Sequence, residues 1–526
     1  MKAIVVSANE WVYPDITEYS ATSDKISVHA PRGGFAAVQV YLTETPVGSA
    51  IEVEYSGKLT VSACQMLDVL VDLNTNPTPD GEPKSEFDTR KAPFRVFDVL
   101  RPIGDGALTE IANTALYLSW AVPQDASVGA DKGKVTIIIA GETVVLDAEI
   151  IVHSCVLPRI STLKTTNWYN QDNIGKAEGI ELCSEKWFDM YRSTLKLMRH
   201  IRQTQLMIWM SFTDIRETST GIYEFDFGKM KRVIEIALEE GIETLEFSPL
   251  IKDTVDKKYY SLFYEPEGRK IIVESTEGYA FLSQLLISFA KFLKENNWYN
   301  ISVQHVVDEP GYNGMIGDYR ALCGLVRKFL PGIPIIEALN GEEKQVLRGD
   351  LDRWVPLTSL YQEQRERYDS FKAAGDEIWV YTCCGPTGKW LNRFLDYALL
   401  KTRLLHYGNY LFDIKGYLHW GLNFYPRDFE GMRSVGMTSS YVGGFLGAGD
   451  CNIIYPGVGN GPWLSRRAEM MRLGCEDFEL LWIVAKRNPG EADILCKNVM
   501  RAFDDYSLDI KAFDENYVNL LNAADH

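Results

Sequence analysis

Long apolar segments are missing from this sequence. None of its 526 residues belongs to an apolar run of the roughly 20 residues that a transmembrane helix needs. The N-terminal stretch MKAIVVSANEWVYPD also lacks the apolar core and the small-residue cleavage site of a signal peptide. From these absences we expect a cytoplasmic protein with no membrane partner.

Positive charge is scarce as well. Lysine and arginine together number 54, against 72 aspartates and glutamates, which gives a formal net charge of −18. A surface of this sign repels nucleic acids and anionic lipids, so we expect no nucleic-acid partner. The remaining composition, with 46% hydrophobic and 24% charged residues, is typical of a globular chain with more than one domain.

Cysteine is present, but not at the spacing of a known reactive motif. The nine cysteines are scattered, and the one adjacent pair, Cys383–Cys384, fits neither a zinc site nor a CxxC redox motif. His and Cys spacings predict no metal site, and His305 is expected to be a buried interior residue. No phosphate-binding loop or dinucleotide fingerprint occurs. The sequence thus predicts reduced thiols and a protein without metal or cofactor.

The patterns that are present divide the chain into two parts. Residues 1–157 contain segments with a period of two, such as FAAVQVYL and AIEVEYSG, separated by Gly, Pro and Asn. This alternation predicts strands, and VTIIIAGETVVLDAEIIV predicts a hairpin that turns at Ala140-Gly141-Glu142. Residues 121–134 are predicted to form a loop. We therefore predict an all-β sandwich domain for residues 1–157.

Residues 158–526 show a different pattern, in which short apolar strands alternate with helices of period 3.6. Eight such strand–helix units can be counted, from the strand STLKTTNWY to the strand GYLHWGLNFY. Repeated units of this kind predict a parallel sheet, and eight of them predict a (β/α)8 TIM barrel. The prediction is a catalytic barrel domain over residues 158–526 that ends in C-terminal helices.

Asp308 and Glu309 are adjacent carboxylates at the end of the fourth predicted strand, ISVQHVV. Active sites of (β/α)8 barrels lie at this end of the strands. Pro310 is expected to keep Glu309 extended and to end the strand, and Gly311 permits a turn. Two carboxyl groups with different tasks are what glycoside hydrolysis requires, so this pair is the candidate catalytic site. A solvated turn is the alternative.

The seventh predicted strand ends in WVYTCCGP and offers no carboxylate. A conventional retaining glycosidase needs a second carboxylate as nucleophile, and Glu337 on the fifth strand is the candidate. Otherwise the substrate supplies its own nucleophile, as the acetamido oxygen of a 2-acetamido sugar does. One carboxylate would then orient the acetamido group, and its neighbour would act as acid and base. Tyr381 is a candidate donor to the amide oxygen.

Aromatic and amide side chains at other strand ends are candidate sugar contacts. Trp168 on the first strand and Trp420 on the eighth can pack against the apolar face of a sugar, as can Tyr381. Asn340, Asn423 and Glu337 can hydrogen-bond its hydroxyl groups. Ordinary packing is the alternative for each of them.

Several longer segments together resemble glycoside hydrolase family 123. They are YEFDFGKMKRVIEIALEEGIETLEFSPL, the Asp-Glu-Pro of residues 308–310, GYLHWGLNFY, and the run GAGDCNIIYPG…GPWLSRRAEMMRLGCEDFELLWI. The N-terminal HAPRGGFAAVQVYL resembles the β-sandwich that precedes the catalytic domain in that family. The likeness spans nearly the whole chain.

The resemblance implies a retaining β-N-acetylgalactosaminidase that uses the acetamido group of its substrate. By position, Asp308 would stabilise that group and Glu309 would be the acid and base. The first strand departs from the family pattern, because NWYNQDN has Asn170 where a proline often stands. This departure bears on the identity of the sugar more than on the mechanism.

The favoured function is therefore an exo-acting glycosidase. It would remove a terminal β-linked 2-acetamido sugar, N-acetylgalactosamine, from an oligosaccharide or glycoconjugate. One alternative is a conventional retaining glycosidase with Glu309 as acid/base and Glu337 as nucleophile. The other is a silent carbohydrate-binding protein, since a fold does not determine a function.

Overall fold

A computed structural model describes most of the chain. The described residues are 1–20, 22–75, 86–255, 259–310, 316–341, 346–425, 446–457 and 461–525. The turn expected at Gly311 lies outside them. No helix in the described part of the chain is long and apolar enough to cross a bilayer.

Strands account for the first part of the chain and recur throughout the second. In chain order they are β1 (Lys2–Val6), β2 (Thr22–Ser23), β3 (Ile26–Arg32), β4 (Phe35–Thr43), β5 (Ile51–Tyr55), β6 (Val61–Val71), β7 (Phe94–Pro102), β8 (Thr114–Ala121), β9 (Gly129–Ile139), β10 (Glu142–Val156), β11 (Lys164–Asn167), β12 (Gln205–Ile208), β13 (Asp214–Ser219), β14 (Ile222–Asp226), β15 (Thr244–Phe247), β16 (Ile251–Val255), β17 (Tyr259–Leu262), β18 (Ser302–Gln304), β19 (Ile336–Leu339), β20 (Arg353–Pro356), β21 (Glu377–Tyr381), β22 (Gly416–His419), β23 (Ile454–Tyr455), β24 (Trp463–Ser465), β25 (Met500–Ala502) and β26 (Asp505–Tyr506).

The α-helices belong to the second part. In chain order they are α1 (Glu185–His200), α2 (Gly228–Glu239), α3 (Thr276–Glu295), α4 (Ile316–Phe329), α5 (Thr358–Glu363), α6 (Arg365–Ala373), α7 (Leu400–Leu411), α8 (Arg466–Ala485), α9 (Pro489–Lys497) and α10 (Ile510–Ala524).

The predicted hairpin between β9 and β10 is confirmed. Ala140 and Gly141 form its two-residue turn, and both have a positive φ, 52° and 81°, as a type I′ turn requires. The loop predicted for residues 121–134 is too long, because β9 already begins at Gly129. The first residues of β9 do not alternate between apolar and polar side chains. They are extended because they pair with β10, where Gly129 lies opposite Val152.

The N-terminal strands form two sheets. Strand order is β2-β1-β4-β8-β6-β7-β24-β23 in the larger sheet and β3-β10-β9-β5 in the smaller one. Alternate residues of both sheets are buried in a shared core that includes Val38, Val40, Ile137 and Ile139. Two sheets with a shared core agree with the predicted sandwich. However, β23 and β24 come from far along the chain, so residues 1–157 do not build the larger sheet alone.

Eight strands of the remaining chain run parallel in two further sheets. Five pair in the order β11-β22-β21-β20-β19, and three in the order β12-β15-β18. One main-chain hydrogen bond crosses each gap: Thr204 N–H donates to Thr165 O at 3.2 Å, and Gln304 N–H donates to Pro334 O at 2.9 Å. This succession of strands is the one expected of a (β/α)8 barrel. Continuous ladders do not bridge the gaps in the described residues, so a closed barrel stays a prediction.

Helices follow seven of these eight strands. Between β19 and β20 the described residues contain no α-helix, so one of the eight predicted strand–helix units lacks its helix there. The final helices α9 and α10 agree with the predicted helical C-terminus.

Helix α8 is buried along most of its length and joins the two parts of the molecule. Its Arg467 forms an ion pair of 3.0 Å with Asp98 of β7, and its Arg472 pairs with Glu469 one turn away at 2.5 Å. Tyr117 of β8 donates to Glu469 at 2.9 Å. Buried charges need partners of this kind. The contacts of Arg467 with Asp98 and of Glu469 with Tyr117 therefore hold α8 against the larger sandwich sheet.

Candidate active site

The predicted catalytic pair lies just beyond the carboxyl end of β18. This strand ends at Gln304, and the chain then reaches Asp308, which is exposed, and Glu309, which is half-buried. Two neighbouring strand ends contribute further candidates, because Asn340 follows β19 and Tyr381 is the last residue of β21. The carboxyl ends of parallel strands thus converge on one place, as the order of the strands requires.

Two of the predicted sugar contacts hold Glu309 directly. The phenol of Tyr381 donates to Oε1 at 2.5 Å, and the amide of Asn340 donates to Oε2 at 2.6 Å. Hydrogen bonds to a carboxylate are stronger than bonds between neutral groups. The two donors therefore fix the position of both oxygens of Glu309.

Tyr381 stays protonated at neutral pH. Burial raises the pKa of its phenol well above the ordinary value, and nearby Cys383, Glu309 and Asp308 raise it further. The phenol therefore remains a donor. Both Asp308 and Glu309 raise the pKa of this phenol. The two carboxyl groups therefore lie close enough to the phenol oxygen to act on it electrostatically.

The backbone of Glu309 is left-handed, with a φ of 47°. The expectation that Pro310 keeps Glu309 extended is therefore wrong. A residue with a side chain costs about 1–3 kcal/mol in this region, and a following proline does not favour it. The hydrogen bonds from Tyr381 and Asn340 offset that cost, so tertiary contacts overrule the local preference.

Glu337 supports the turn that leads to the pair and is fully buried. Its Oε1 accepts hydrogen bonds from the main-chain N–H groups of Val306 at 2.5 Å and Val307 at 3.1 Å. Its Oε2 lies 3.1 Å from Nδ1 of His305. Both oxygens are engaged by the segment just before Asp308. The structure does not present Glu337 to a ligand as nucleophile or sugar contact.

His305 links Glu337 to a second buried carboxylate. Nε2 of His305 lies 2.6 Å from Oε1 of Glu246 on β15, and the indole N–H of Trp168 donates to the same oxygen at 2.7 Å. Gln205 of β12 donates to the other oxygen of Glu246 at 2.8 Å. These contacts form a continuous buried chain, from Trp168 through Glu246 and His305 to Glu337. We call it the buried relay.

The charges of the buried relay follow from burial and pairing. Burial acts to lower the pKa of His305, but its contacts with the two carboxylates outweigh this and raise it to about 10. Burial acts to raise the pKa of Glu246, yet His305 and Gln205 lower it overall, whereas burial prevails at Glu337 and raises its pKa. At neutral pH, His305 is an imidazolium between two buried acids. Its predicted interior position is confirmed.

Trp420, the other tryptophan predicted to contact a sugar, also donates to a buried carboxylate. Its indole N–H donates to Oδ2 of Asp450 at 3.1 Å, and its ring lies 5.1 Å from that of Phe424. Asp450 is fully buried, and burial raises its pKa to about 7. Trp420 is half-buried, whereas Trp168 is only 7% exposed. Of the two rings, that of Trp420 is the more accessible to a ligand.

Asn423 is engaged inside the protein. Its Oδ1 accepts from the main-chain N–H of Asn170 at 2.7 Å, and its Nδ2 donates to the main-chain oxygen of Asn170 at 3.1 Å. The Asn170 side chain in turn accepts from the N–H groups of Asp172 and Asn173 and caps a short turn. Asn423 therefore ties the loop after β11 to the loop after β22, and its amide is not directed at a ligand.

Glu246, Gln205 and Asp450 were not singled out from the sequence. A charge inside the apolar strand TLEF was a usable signal for Glu246, because a buried glutamate needs a partner. Asp450 gives no such signal, since it lies in irregular structure after β22.

Comparison with known proteins bears directly on this site. The model of the glycoside hydrolase 123 catalytic domain matches residues 168–484, which include every candidate residue discussed above. No curated protein sequence matches the chain.

Solved structures give a consistent picture. A family 123 glycoside hydrolase from Clostridium perfringens, whose structure was used to analyse glycolipid glycan hydrolysis, superposes with a TM-score of 0.72 at 14% identity, over 100% of this chain and 97% of that one. This likeness shows a shared fold.

Two other glycosidases resemble the chain only distantly. They are a β-galactosidase from the psychrophilic Marinomonas ef1 (TM-score 0.37, 11% identity, 64% of this chain and 62% of that one) and a β-D-glucuronidase from Dictyoglomus thermophilum (0.35, 10%, 90% and 97%). The family model, by contrast, covers more than half of the chain and confirms the resemblance seen in the sequence. The protein belongs to glycoside hydrolase family 123 and is a glycosidase.

Proposed function

We propose that this protein is an exo-acting, retaining β-N-acetylgalactosaminidase in which the acetamido group of the substrate is the nucleophile. The substrate is an oligosaccharide or glycoconjugate with a terminal β-linked N-acetylgalactosamine. The observation that carries the proposal is the environment of Glu309. It is a half-buried carboxylate with two dedicated donors, and its neighbour Asp308 is exposed. Unequal environments allow two carboxyl groups to take different roles.

In the first step the acetamido oxygen attacks the anomeric carbon, and protonated Glu309 gives its proton to the leaving oxygen. Asp308, as a carboxylate, accepts a hydrogen bond from the acetamido N–H and stabilises the positive charge of the oxazolinium ion. In the second step ionised Glu309 takes a proton from water. The water oxygen attacks the anomeric carbon and opens the oxazolinium ring, which restores the acetamido group. The carbon is inverted twice, so the configuration is retained.

Tyr381 and Asn340 support the second step in this scheme. Both donate to Glu309 and thus hold its carboxylate in place while it accepts the proton from water. When Glu309 is protonated in the first step, the phenol of Tyr381 can turn to the acetamido oxygen instead.

The environment of Glu337 disfavours the conventional alternative. A nucleophile must reach the anomeric carbon, but this carboxylate is fully buried and both its oxygens accept hydrogen bonds from the segment before Asp308. The left-handed backbone of Glu309 favours a catalytic protein over a silent one, since strained residues that tertiary contacts hold in place cluster at active sites.

We also propose that the two parallel sheets belong to one (β/α)8 barrel within residues 158–526, with the pocket at their carboxyl ends. Trp420 then packs on the sugar, and Trp168 forms the base of the pocket. Residues 1–157, joined by β23 and β24, form the sandwich against which α8 rests.

The test is hydrolysis of an aryl β-N-acetylgalactosaminide and of the matching aryl β-galactoside, which lacks the acetamido group. We expect turnover of the first substrate alone. Asp308→Asn should lower kcat about 100- to 1,000-fold, because a group that stabilises charge in the transition state is lost. The matched control is Asp172→Asn, which removes an exposed carboxylate on the loop after β11 and should leave kcat unchanged.

A thiazoline mimic of the oxazolinium ion completes the experiment. It should inhibit the wild type competitively, because it resembles the cyclic intermediate. Equal turnover of the galactoside, or turnover that the thiazoline leaves untouched, would contradict the proposed mechanism.

A further inference from the structure

Two adjacent thiols lie immediately beyond Tyr381. The Sγ atoms of Cys383 and Cys384 are 3.8 Å apart, and both cysteines are free. This distance is a non-bonded contact, much longer than the roughly 2.05 Å of a disulfide. The mechanism proposed above does not use either thiol.

The turn that carries the two thiols is held by hydrogen bonds. The main-chain N–H of Cys383 donates to Gly385 O at 2.8 Å. The amide of Asn392, which is fully buried, donates to Cys383 O at 2.9 Å and to Pro386 O at 3.0 Å. The two thiols are therefore preorganised side by side. Preorganisation lowers the entropic cost of binding one ligand through both of them.

Access distinguishes this pair from the other cysteines. Cys384 is exposed and Cys383 is half-buried, whereas the remaining seven thiols are buried or half-buried and have no cysteine as a chain neighbour. Among the described residues, no group of three or more His, Cys, Asp and Glu side chains is arranged to hold a metal ion. The pair thus suits an acceptor that needs two sulfur ligands and no others.

The protonation of the two thiols suits a ligand that takes up both thiol protons when it binds the sulfur atoms. The hydrogen bond with Cys383 lowers the pKa of Cys384, and the same contact together with burial raises the pKa of Cys383. The contact between the two thiols therefore favours ionisation of Cys384 and disfavours ionisation of Cys383. An acceptor whose leaving groups are hydroxides takes up the protons as water, so no free second thiolate is needed.

We propose that Cys383 and Cys384 form a dithiol site for a trivalent organic arsenical, R–As(OH)2. Two As–S bonds form and two As–O bonds break, and the two thiol protons leave with the hydroxides as two molecules of water. The arsenic stays trivalent, so no oxidant or reductant takes part. The product is a cyclic dithioarsenite closed by the two neighbouring side chains.

The site lies at the edge of the candidate active site. Tyr381, two residues before Cys383, donates to Glu309, and the charge of Glu309 reaches the thiol of Cys384. An arsenical on both sulfurs therefore obstructs the approach to Glu309. This consequence for turnover rests on the proposed function, whereas binding itself does not.

Binding is tested by the intact mass of the full-length protein after treatment with phenylarsine oxide. The wild type should gain one phenylarsenic group that survives excess monothiol and is removed by 2,3-dimercaptopropanol. Cys384→Ser should keep no group after the monothiol, because one thiol cannot chelate. Cys183→Ser, which removes a half-buried thiol elsewhere, should behave as the wild type does. A wild type that keeps no group, or a Cys384→Ser variant that keeps one, would overturn the site.

Turnover tests the position of the site. Phenylarsine oxide should abolish most of the hydrolysis of the aryl glycoside by the wild type, and 2,3-dimercaptopropanol should restore it, while Cys384→Ser stays active throughout. A fully loaded wild type with undiminished turnover would overturn the placement at the pocket. A wild type without any turnover before treatment would refute the proposed function, and the mass measurement would still decide the dithiol site.

Discussion

At the scale of single residues, the candidate site separates two neighbouring carboxyl groups by their surroundings. Glu309 accepts hydrogen bonds from Tyr381 and Asn340, and its backbone takes a strained left-handed conformation to reach them. Asp308 is exposed, as expected of a group that meets the substrate directly. Adjacency in sequence therefore does not make the two carboxyl groups equivalent.

Replacing Tyr381 by phenylalanine tests this arrangement. The variant keeps the ring and loses the hydroxyl group that donates to Glu309. We expect kcat to fall about tenfold, because a hydrogen bond of roughly 1.5 kcal/mol that positions the carboxylate is lost. The matched control is Tyr417→Phe, which removes a buried hydroxyl group that bonds to Thr382 instead and should leave kcat unchanged. An unchanged kcat for Tyr381→Phe would show that this hydroxyl group does not position Glu309 for turnover.

At the scale of elements, the buried relay joins three strands beneath the pair. Glu246 comes from β15, His305 follows β18, and Glu337 comes from β19. Glu337 also accepts from two main-chain N–H groups of the turn. The relay thus determines where the segment carrying Asp308 and Glu309 begins.

The variant Glu337→Gln separates a supporting role from a nucleophilic one. We expect kcat to fall by up to roughly 100-fold, because the turn is displaced, while added azide restores nothing. Glu377→Gln, at the other end of the parallel strands, is the control and should retain activity. If azide instead revived the variant and gave a glycosyl azide, Glu337 would be the nucleophile of a conventional retaining enzyme.

The charge on His305 predicts a pH-dependent stability. Its pKa is raised to about 10 in the folded protein, above the value of 6.5 for an unperturbed histidine. A raised folded-state pKa stabilises in full below the unfolded value, and the stabilisation is lost as the pH rises through the folded value. We therefore expect the loss in unfolding free energy caused by His305→Gln, on the order of a few kcal/mol, to shrink as the pH rises from about 6.5 to about 10.

Urea denaturation at several pH values measures this difference. His406→Gln is the control, because burial lowers the pKa of His406 to about 4 and its ring stays neutral over the whole range. Its effect on stability should not change with pH between these limits. A constant deficit for His305→Gln would show that its ring is not an imidazolium in the relay.

At the scale of the whole molecule, the two parts of the chain share one sheet and one helix. Strands β23 and β24 extend the larger sandwich sheet, and α8 places Arg467 against Asp98 with both side chains fully buried. Tyr455 of β23 donates to the same aspartate at 2.7 Å. The sandwich and the catalytic part therefore share a sheet and a buried ion pair, and they pack as one structure.

Asp98→Asn should reveal how much this contact stabilises the protein. It leaves the Arg467 guanidinium buried without its counter-charge, which costs about 3–5 kcal/mol. The control is Glu224→Gln, which breaks the pair of Glu224 and Arg216, whose side chains are 62% and 75% exposed. That change should cost less than about 1 kcal/mol. Thermal denaturation of both variants makes the comparison, and equal losses would contradict the assigned role of the buried pair.

Much of this architecture could be predicted because it rests on local patterns. Alternation predicted the hairpin at Ala140–Gly141, and repeated apolar strands with intervening helices predicted parallel strands in the right succession. The surroundings of individual side chains were harder to predict. Asn423, after the eighth strand, and Glu337, on the fifth, look like ligands in the sequence, yet in the structure they hydrogen-bond the main chain of neighbouring segments. Such contacts join residues distant in sequence, which no local pattern encodes.

The sequence by itself determined the family, the two kinds of secondary structure and the presence of an acidic pair after the fourth strand. These follow from periodicity and from motifs that are short and contiguous. Only the tertiary structure decided that the backbone of Glu309 is left-handed, that Glu337 is fully buried in the relay, and that β23 and β24 extend the N-terminal sheet. The physical reason is the same in each case. Hydrogen bonds and ion pairs between distant segments outweigh local backbone preference, and their partners are known only once the chain has folded.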